Sequence, residues 1–397
     1  MAELQETVIV EGARTPFGAF GGGLSGLAAP ELGAAALEEA AKRAGIDKEK
    51  VENVIMGQVV QAGTGQIPSR QATLKAGFSE KVPSDTLNKV CAAGLRAVNY
   101  ADVMIKAGEA EIVMAGGMEN MSKAPYLMES ARFGQRMGHT KFIDGMINDG
   151  LWCPVHDVHM GVHGSKVPRD EYGIDRDSQD KWALRSHEKA VEAMEKGYIS
   201  EEIVPVEVKG KKGKVETVEK DECPRPDTNL EKLAKLPPAF EKDGTVTPGN
   251  APPISDGASA LVLMSKKKAD ELGLKPIAKI VSQGMASEKP PYISTVPALA
   301  ANKAFEKTNL KTDDIDLIEV NEAFASVALT SIEIGKWDPE KVNVNGGAVA
   351  LGHPIGASGG RILLTLLYEM QRRDVELGLA TICSGAAQGE ATIVQRI

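Results

Sequence analysis

The sequence lacks the features that would place it in a membrane or outside the cell. No apolar run approaches the ~20 residues that a membrane-spanning helix needs. The segment 1–14 has no basic stretch followed by an apolar one, which a secretion signal would show. The four cysteines, Cys91, Cys153, Cys223 and Cys383, are too few in 397 residues for a disulfide framework. We therefore expect a cytoplasmic protein without a membrane partner, whose thiols stay reduced.

Aromatic residues and positive charge are also scarce. Phe, Trp and Tyr make up only 4% of the chain, whereas glycine occurs 41 times, which favours tight turns and close backbone approaches over an aromatic-lined groove. The formal charge of -9 argues against a nucleic-acid partner, although a local basic patch could still hold a small anion. With 42% hydrophobic and 25% charged residues, the composition fits a globular α/β protein.

The order of predicted strands and helices recurs at the two ends of the chain. In the unit 85–117, a short strand leads to Cys91, a helix follows, and a second strand closes the unit. The last third of the chain repeats this order, so we predict two similar α/β halves whose glycine-rich turns face each other. The main predicted elements are strands 7–10, 54–57, 111–115, 315–320, 342–344 and 379–383, and helices 32–44, 92–106 and 356–370.

The middle of the chain, 120–250, differs from both halves. It is rich in Met, His and Lys, and it contains a predicted hairpin, 204–218, that turns at Lys211, Lys212 and Gly213. We interpret this segment as an inserted lid. The predicted domains are an N-terminal half formed by 1–119 and 251–270, the inserted lid and coenzyme-binding segment 120–250, and a C-terminal half formed by 271–397.

Cys91 stands where a predicted strand meets a predicted helix. Unpaired backbone N–H groups and the helix dipole at that position favour a thiolate, the form in which cysteine is a nucleophile. Taken alone, Cys91 could equally be an inert buried thiol at a tight turn. It is accompanied, however, by three further groups of polar residues at predicted strand ends: Asn321-Glu322-Ala323-Phe324, the run 345–359 that includes His353, and Cys383-Ser384-Gly385.

These motifs together resemble those of the thiolase family over essentially the whole chain. The resemblance implies a five-layered α-β-α-β-α fold built from two similar halves with an inserted lid. It also implies an acyltransferase that takes coenzyme A and acyl-CoA as substrates, without a tightly bound cofactor, and that forms a homotetramer or homodimer. The residues that carry it are Asn88-Lys89-Val90-Cys91 with Gly94-Leu95, the segment 321–325, Gly352-His353-Pro354 and Cys383-Ser384-Gly385.

The same resemblance implies a role for each motif. Cys91 would accept the acyl group, His353 would act as its base, and Cys383 would be the second acid/base. His353 and a water held by Asn321 would stabilise one oxyanion, and the backbone N–H groups of Cys91 and Gly385 the other. A Cys–His pair is expected to give a reactive thiolate near neutral pH, and thioester exchange onto it is nearly thermoneutral.

Residues that bind coenzyme A are indicated by shorter stretches. Arg225 matches a family arginine near the nucleotide part, and His159-Met160-Gly161 resembles the lid segment over the acyl-pantetheine of short-chain thiolases. Phe324, within the 321–325 motif, is predicted to line the same site. A basic run is better interpreted as a solvated hairpin tip than as a phosphate site; it consists of Lys209, Lys211, Lys212 and Lys214.

The sequence has no motif typical of a metal or dinucleotide site. GxxxxGK[ST] does not occur, and the glycines at 21–26 match GxGxxG but lie neither directly after the predicted strand 7–10 nor at the start of the predicted helix 32–44. One cluster has side chains of the ligand type, but its spacing fits neither CxxC nor HExxH; it consists of Cys153, His156, His159 and His163. We therefore predict no metal site.

The chain departs from the family pattern at four places. Ala92-Ala93 follow the nucleophile where Gly-Ser is usual, and Ala386-Ala387-Gln388 replace a glycine-rich turn. Pro252-Pro253 replace a Ser-Gly that contacts pantetheine, and Pro291-Tyr292-Ile293-Ser294 replace a Met-Gly stretch that often lines a short acyl pocket. These changes concern substrate fit rather than the reaction itself.

The implied reaction is reversible transfer of an acetyl group between coenzyme A thioesters. It would proceed by thiolysis of acetoacetyl-CoA, or by condensation of two acetyl-CoA, through an acyl-Cys91 intermediate. The alternative is a thiolase for longer 3-ketoacyl-CoA in fatty-acid degradation. A decarboxylating ketoacyl synthase of the same fold would normally lack the second cysteine, Cys383, and a non-enzymatic lipid carrier would take up no acetyl group from acetyl-CoA.

Overall fold

The computed structural model describes residues 4–210 and 213–397. The turn of the predicted hairpin at Lys211 and Lys212 lies outside the described residues. The helices are α1 (Ala29–Ala44), α2 (Pro68–Lys75), α3 (Ala93–Ala107), α4 (Met160–Tyr172), α5 (Arg176–Glu195), α6 (Leu230–Ala234), α7 (Lys266–Leu272), α8 (Val296–Phe305), α9 (Ala325–Gly335), α10 (Ala348–Leu351) and α11 (Ser358–Arg373). The strands are β1 (Thr7–Arg14), β2 (Gly18–Ala19), β3 (Asn53–Gly57), β4 (Ser84–Leu87), β5 (Ile112–Asn120), β6 (Tyr126–Leu127), β7 (Ile143–Asp144), β8 (Trp152–Cys153), β9 (Val158–His159), β10 (Val206–Lys209), β11 (Val215–Val218), β12 (Ser255–Ser265), β13 (Ala278–Ser287), β14 (Leu317–Val320), β15 (Leu377–Ser384) and β16 (Gln388–Arg396).

The strands of the two halves follow the same spatial order. In the first half the order is β1-β12-β5-β3-β4, and in the second it is β13-β16-β15-β14. In both, the outer pairs are parallel (β5 with β3 and β3 with β4; β15 with β14) and the inner pairs are antiparallel. The halves meet where β1 pairs with β13 at Val8 and Ile9. The predicted duplication is therefore confirmed.

One predicted strand, 342–344, is reduced to a single bridge between Val342 and Ile318. The reason lies at Asn343, whose φ of +48° breaks the extended backbone. Its side chain takes over the pairing instead: Oδ1 accepts from the Val320 N–H at 2.9 Å and Nδ2 donates to the Val320 carbonyl at 2.9 Å. An amide side chain that replaces a ladder partner in this way is common for asparagine.

The strands of the first half are called the first sheet and those of the second half the second sheet, although β1 and β13 join them. The helices form three layers around these two sheets. α1 and α2 pack on the outer face of the first sheet, α3 and α11 lie between the sheets, and α8 and α9 cover the outer face of the second. Leucines such as Leu37 of α1 and Leu95 of α3 are fully buried, and each contributes about 1.5–3 kcal/mol relative to an exposed position. This arrangement is the predicted five-layered α-β-α-β-α fold.

The central layer is packed so closely that it requires glycine. A Cβ on Gly117 would lie 1.9 Å from the Gly356 carbonyl oxygen, and one on Gly359 would lie 2.2 Å from the Leu95 nitrogen. Backbone at such distances has no room to move aside. Because α3 follows Cys91 and α11 follows His353, this packing fixes the two ends of the helices relative to each other.

The segment 120–250 contains α4, α5, α6 and the β10–β11 hairpin, and its helices pack on the second half through α9 and α10. A buried ion pair also ties it to the first half, because Arg14 donates to both oxygens of Asp221, at 2.7 and 2.8 Å. The segment is thus held by both halves. The boundaries that we predict for it stay a prediction.

Candidate active site between the two halves

Cys91 lies on a tight turn directly before α3. The preceding Val90 has a φ of +45°, a left-handed backbone that costs a β-branched residue about 1–3 kcal/mol. The Val90 N–H donates to Asn88 Oδ1 at 2.9 Å, which closes the turn. Such strain persists only where the surroundings hold it, so the position of the Cys91 thiol is fixed by its neighbours.

Cys383 lies near the end of β15, buried in an apolar cluster with Phe324, Val246 and Ile293. The next residue, Ser384, donates its hydroxyl to the Lys89 carbonyl in the Cys91 turn. Burial, and after it the nearby Cys91, raise the pKa of the Cys383 thiol well above its ordinary value. The structure therefore brings together two cysteines that are almost 300 residues apart.

Gly385 packs directly against the Cys91 turn. A Cβ at this position would lie 3.1 Å from a methyl carbon of Val90. The two alanines that follow both adopt left-handed backbone, with φ of +56° at Ala386 and +52° at Ala387. The glycine-type turn of the family pattern is thus kept by alanines at a cost in conformational energy.

His353 is buried, and its ring is oriented by one hydroxyl. Ser358 Oγ lies 2.6 Å from His353 Nδ1 and donates its own proton to the Pro354 carbonyl at 3.0 Å. With the hydroxyl proton directed to Pro354, the tautomer that fits this contact carries its proton on Nδ1 and leaves Nε2 as an acceptor. Burial, together with the positive charge of Arg361, lowers the pKa of His353 to about 3, which keeps the ring neutral at pH 7.

Asn321 follows β14 and lies beside His353. Its Nδ2 is 3.5 Å from His353 Nε2, and its backbone N–H donates to the Thr381 carbonyl at 3.0 Å. Its Oδ1 is buried without a hydrogen-bond partner among residues 4–210 and 213–397. A buried, unpaired amide oxygen costs free energy, and such groups are typical of sites that bind water or substrate.

Glu119, which sequence reasoning missed, is a buried carboxylate beside these groups. It accepts from the N–H groups of Val59, Val60 and Gly356 at 2.9, 3.2 and 3.1 Å. Burial raises its pKa to about 8. The predicted strand 111–115 stops short of Glu119, whereas the observed β5 runs through it to Asn120; a charged residue inside a buried strand requires several buried donors.

The pKa of Cys91 shifts in the direction opposite to the one predicted. Burial, with a further contribution from the Glu119 carboxylate, raises the pKa of the thiol to about 12. Loss of hydration outweighs the helix dipole at this position. The thiol is therefore protonated in the resting protein, and its proton must pass to a base as the new carbon–sulfur bond forms.

This protonation state gives a pH prediction for the free chain. The rate at which iodoacetamide alkylates Cys91 should rise by about tenfold per pH unit from pH 7 to 9, since only the thiolate reacts and it is the minor form below its pKa. Peptide mapping assigns the label to Cys91, and Cys91→Ala supplies the background. A rate that has already levelled off below pH 7 would contradict the raised pKa.

His159, Met160 and Phe324 form one wall of the site together with Phe240, which sequence reasoning did not identify. His159 stacks on Phe240 with ring centres 4.2 Å apart and planes at 9°. Phe240 meets Phe324 edge to face at 6.3 Å. Met160, Phe240 and Phe324 share an apolar cluster with Cys383. The predicted lid residues and the second thiol therefore lie in one region of the molecule.

Arg225 lies apart from the thiols, at a cavity of about 170 Å³. His187 and Lys232 also line this cavity, as do Ala251 and Pro253. The Arg225 N–H donates to His187 Nδ1 at 3.1 Å, which fixes the loop. Asp227 also lines the cavity and pairs with Lys232 at 2.6 Å, and burial lowers the pKa of His187 to about 4. Arg225 is therefore joined in the cavity by one ion pair, a neutral imidazole and an apolar edge. By contrast, Lys209 and Lys214 are exposed on the β10–β11 hairpin, away from it.

The cysteine and histidine cluster of the middle segment has a different geometry from a metal site. His156 and His163 meet edge to face with ring centres 5.4 Å apart, and Cys153 is buried. Within the described part of the chain, no three His, Cys, Asp or Glu side chains are grouped so as to hold a metal ion. None of the helices described above combines the length and apolarity that crossing a membrane requires.

Two thiols at the junction of a duplicated α/β fold, with a neutral buried imidazole beside Asn321, are the groups of a cysteine-dependent acyl-transfer enzyme. The chain belongs to the thiolase family. The family model described as "Thiolase, N-terminal domain" matches residues 7–267, and the model described as "Thiolase, C-terminal domain" matches residues 274–396.

Known relatives match over their full length. Proteins named acetyl-CoA acetyltransferase from Pseudomonas aeruginosa and Escherichia coli are each 49% identical to the chain, with 99% of this chain and 100% of the relative covered. The crystal structure of the Bacillus anthracis acetyl-CoA acetyltransferase is similar with a TM-score of 0.97 at 41% identity, and it covers 100% of both chains.

Proposed function

We propose that this chain is an acetyl-CoA C-acetyltransferase, which cleaves acetoacetyl-CoA with coenzyme A and runs the reverse condensation of two acetyl-CoA. The observation that carries the proposal is the contact between the Cys91 turn and the Cys383 strand, where Ser384 donates to the Lys89 carbonyl and Gly385 packs on Val90. The full-length relatives named acetyl-CoA acetyltransferase support this activity.

In the first half-reaction, Cys91 Sγ attacks the 3-keto carbon of acetoacetyl-CoA and the thiol proton passes to His353 Nε2. The bond between carbons 2 and 3 then breaks, and its electron pair forms the enolate of acetyl-CoA. Cys383 gives its proton to carbon 2, so acetyl-CoA leaves and acetyl-Cys91 stays. The free Nε2 of His353, set by Ser358, supports the role of base.

In the second half-reaction, the Cys383 thiolate takes the proton of the incoming coenzyme A thiol. The coenzyme sulfur attacks the acetyl carbonyl on Cys91, and the Cys91 sulfur leaves with the proton from His353. A second acetyl-CoA is released and all three groups return to their starting protonation states. Run in reverse, the same steps condense two acetyl-CoA molecules.

Two groups of donors would stabilise the negative oxygens that form in these steps. His353 and a water on Asn321 would face the enolate oxygen, and the backbone N–H groups of Cys91 and Gly385 would face the tetrahedral intermediate. The unpaired Asn321 Oδ1 supports the first group, and the contact of Gly385 with Val90 supports the second. Each donor is typically worth ~3 kcal/mol, or about a hundredfold in rate.

The wall of His159, Met160, Phe240 and Phe324 favours a short acyl group. A Cβ on Gly161 would lie 2.0 Å from a ring carbon of Phe240, and one on Gly164 would lie 2.5 Å from a ring carbon of Phe324, so both positions require glycine. The rings are thus wedged against a helix and have little freedom to open a longer channel. This packing supports acetoacetyl-CoA over longer 3-ketoacyl-CoA.

The chain-length test compares kcat/KM for thiolysis of acetoacetyl-CoA and 3-ketooctanoyl-CoA at the same coenzyme A concentration. We expect acetoacetyl-CoA to be preferred by about a thousandfold or more, since the longer substrate has roughly four extra methylenes and each misfitting methylene costs roughly 1–3 kcal/mol in such a pocket. Equal values, or a preference for the longer substrate, would favour the thiolase of fatty-acid degradation instead. No thiolysis of either compound would remove the proposal altogether.

Coenzyme A binding is assigned to the cavity at Arg225 and to the segment 120–250 that surrounds it. Arg225 suits a nucleotide phosphate, and the apolar edge at Ala251 and Pro253 suits pantetheine. The coenzyme enters as a substrate, and no metal is involved in this proposal. The same assignment gives three domains: an N-terminal half formed by 1–119 and 251–270, the inserted segment 120–250, and a C-terminal half formed by 271–397. The pairing of β12 with β1 and β5 supports placing 251–270 in the first half.

We also propose a homotetramer or homodimer in the cytoplasm. Large apolar side chains are exposed on the segment between β6 and β9, where Phe133 is 90% and Met137 is 92% accessible to solvent. Apolar groups that are exposed in this number typically mark an interface.

A further inference from the structure

Glu390 is a fully buried carboxylate on β16 that binds three groups from the first half of the molecule. Oε2 accepts from Lys89 Nζ at 2.5 Å, and Oε1 accepts from Asn99 Nδ2 at 2.7 Å and from Arg96 Nη1 at 3.2 Å. The Asn99 amide is oriented by Thr392, whose hydroxyl donates to Oδ1 at 2.8 Å. One hydrogen-bonded network around the buried carboxylate therefore contains Lys89, Arg96, Asn99 and Thr392.

The position of Glu390 links this network to both thiols. In the ladder of β15 and β16, Glu390 pairs with Ile382, and the preceding Gly389 pairs with Cys383. Lys89 and Arg96 lie two residues before and five residues after Cys91. A single carboxylate beside Cys383 thus holds the Cys91 turn on both of its sides.

The Cys91 turn needs such external support. Val90 keeps a left-handed backbone that an isolated chain would avoid. The hydrogen bond from Ser384 to the Lys89 carbonyl comes from the same edge of the second half. Charge-assisted hydrogen bonds are about twice as strong as neutral ones, and buried geometry makes them directional, so Glu390 is the strongest of these anchors.

We infer that Glu390 is a positioning residue that sets the Cys91 thiol relative to Cys383, acting through Lys89 and Arg96. This inference rests on the proposed function and deepens it. The carboxylate touches neither substrate nor a reacting atom. Its effect is to hold Cys91 Sγ within reach of the 3-keto carbon while Cys383 lies within reach of carbon 2.

The test is the steady-state kinetics of Glu390→Gln in acetoacetyl-CoA thiolysis. We expect kcat to fall about tenfold to a hundredfold, the typical effect of a displacement near 1 Å, while KM for both substrates stays within about twofold because the coenzyme site is untouched. Glu390→Asp, which keeps the charge on a shorter side chain, should recover part of the loss. Rates are normalised to the folded fraction from thermal melting.

The matched control is Glu202→Gln. Glu202 is also buried and, like Glu390, accepts from an arginine, Arg14 at 3.2 Å; its second donor is the Thr365 hydroxyl at 2.8 Å, and it does not contact the Cys91 turn. The Glu202→Gln substitution should lower the melting temperature and leave kcat unchanged. If Glu390→Gln behaves like this control, the role of Glu390 is only structural and the inference is overturned.

A second variant covers the case in which Glu390→Gln fails to fold. Lys89→Met removes one partner and leaves Glu390 with Arg96 and Asn99, and it should lower kcat without changing KM. Where both single variants fold, the double variant should lose less than the product of the single losses, because both changes remove the same contact. Unchanged kcat in Lys89→Met, or losses that multiply, would overturn the inference. A wild-type chain without thiolysis would instead reject the proposed function.

Discussion

Replacement of Cys91 by alanine should lower kcat for acetoacetyl-CoA thiolysis by on the order of 10⁴-fold or more, as for other covalent nucleophiles. The reason is that both half-reactions pass through a thioester on this sulfur. The exchange of labelled coenzyme A into acetyl-CoA should be lost to the same degree. Because Cys91 is held by the surrounding turn rather than holding it, the melting temperature should change little.

The control for this variant is Cys153→Ala. Cys153 is a buried thiol that lies in β8 of the middle segment and does not belong to the cluster around Cys383. It should keep wild-type kcat. If Cys91→Ala retains coenzyme exchange at a rate within about tenfold of the wild type, Cys91 is not the acyl acceptor.

Replacement of Cys383 by alanine should separate the two kinds of bond exchange. We expect acetoacetyl-CoA thiolysis to fall about 10²- to 10⁴-fold, the usual contribution of a general acid or base. Acetyl transfer from acetyl-CoA onto Cys91 should be slowed much less, because its attack uses the base His353 and the coenzyme A thiolate, unlike the enolate carbon, can leave without a proton from Cys383. Burial raises the pKa of the Cys383 thiol. This thiol is therefore protonated before the reaction and can supply the proton that the enolate requires.

The readout for Cys383→Ala is the pair of rates measured on one preparation. Acetyl uptake is followed as label on the protein, and carbon–carbon cleavage as loss of acetoacetyl-CoA absorbance. Exchange of the acetyl methyl protons with deuterated water adds a third measure, because the base that removes them is the same residue. If carbon–carbon cleavage and proton exchange both survive at the wild-type rate, another group is the acid/base.

The candidate reacting side chains, whose roles the family resemblance implies, each stand at a transition between elements. Cys91 lies between a short strand and a helix, Asn321 follows β14, and Cys383 lies near the end of β15. Such transitions are visible in the pattern of apolar residues and glycine. The prediction of a strand at 342–344 was wrong, because the Asn343 side chain replaces the backbone pairing that the pattern implied.

The buried acids were not predicted, and the reason is physical. Glu119 and Glu390 lie in strands that are otherwise apolar or small, and their partners come from distant parts of the chain. A local pattern shows a charged residue but not the donors that make its burial tolerable. The same limit applies to Phe240, which meets His159 only after the middle segment folds back.

The thiolate expectation failed for a related reason. A helix entrance is visible in the sequence, whereas the degree of burial of the Cys91 sulfur depends on all the surrounding loops. Burial raises the pKa of that thiol to about 12, and burial lowers the pKa of His353 to about 3. Both shifts favour the neutral pair at rest, so the chemistry needs proton transfer coupled to attack.

The most direct test of the account is the mass of the intact protein after brief incubation with acetyl-CoA, followed by peptide mapping. The account predicts a gain of one acetyl group, located on the peptide that contains Cys91, and its removal when coenzyme A is added. The same experiment on Cys91→Ala should show no gain. Two results would contradict this mechanism: an unchanged mass in the wild type, or an acetyl group that coenzyme A removes but that is located on a residue other than Cys91.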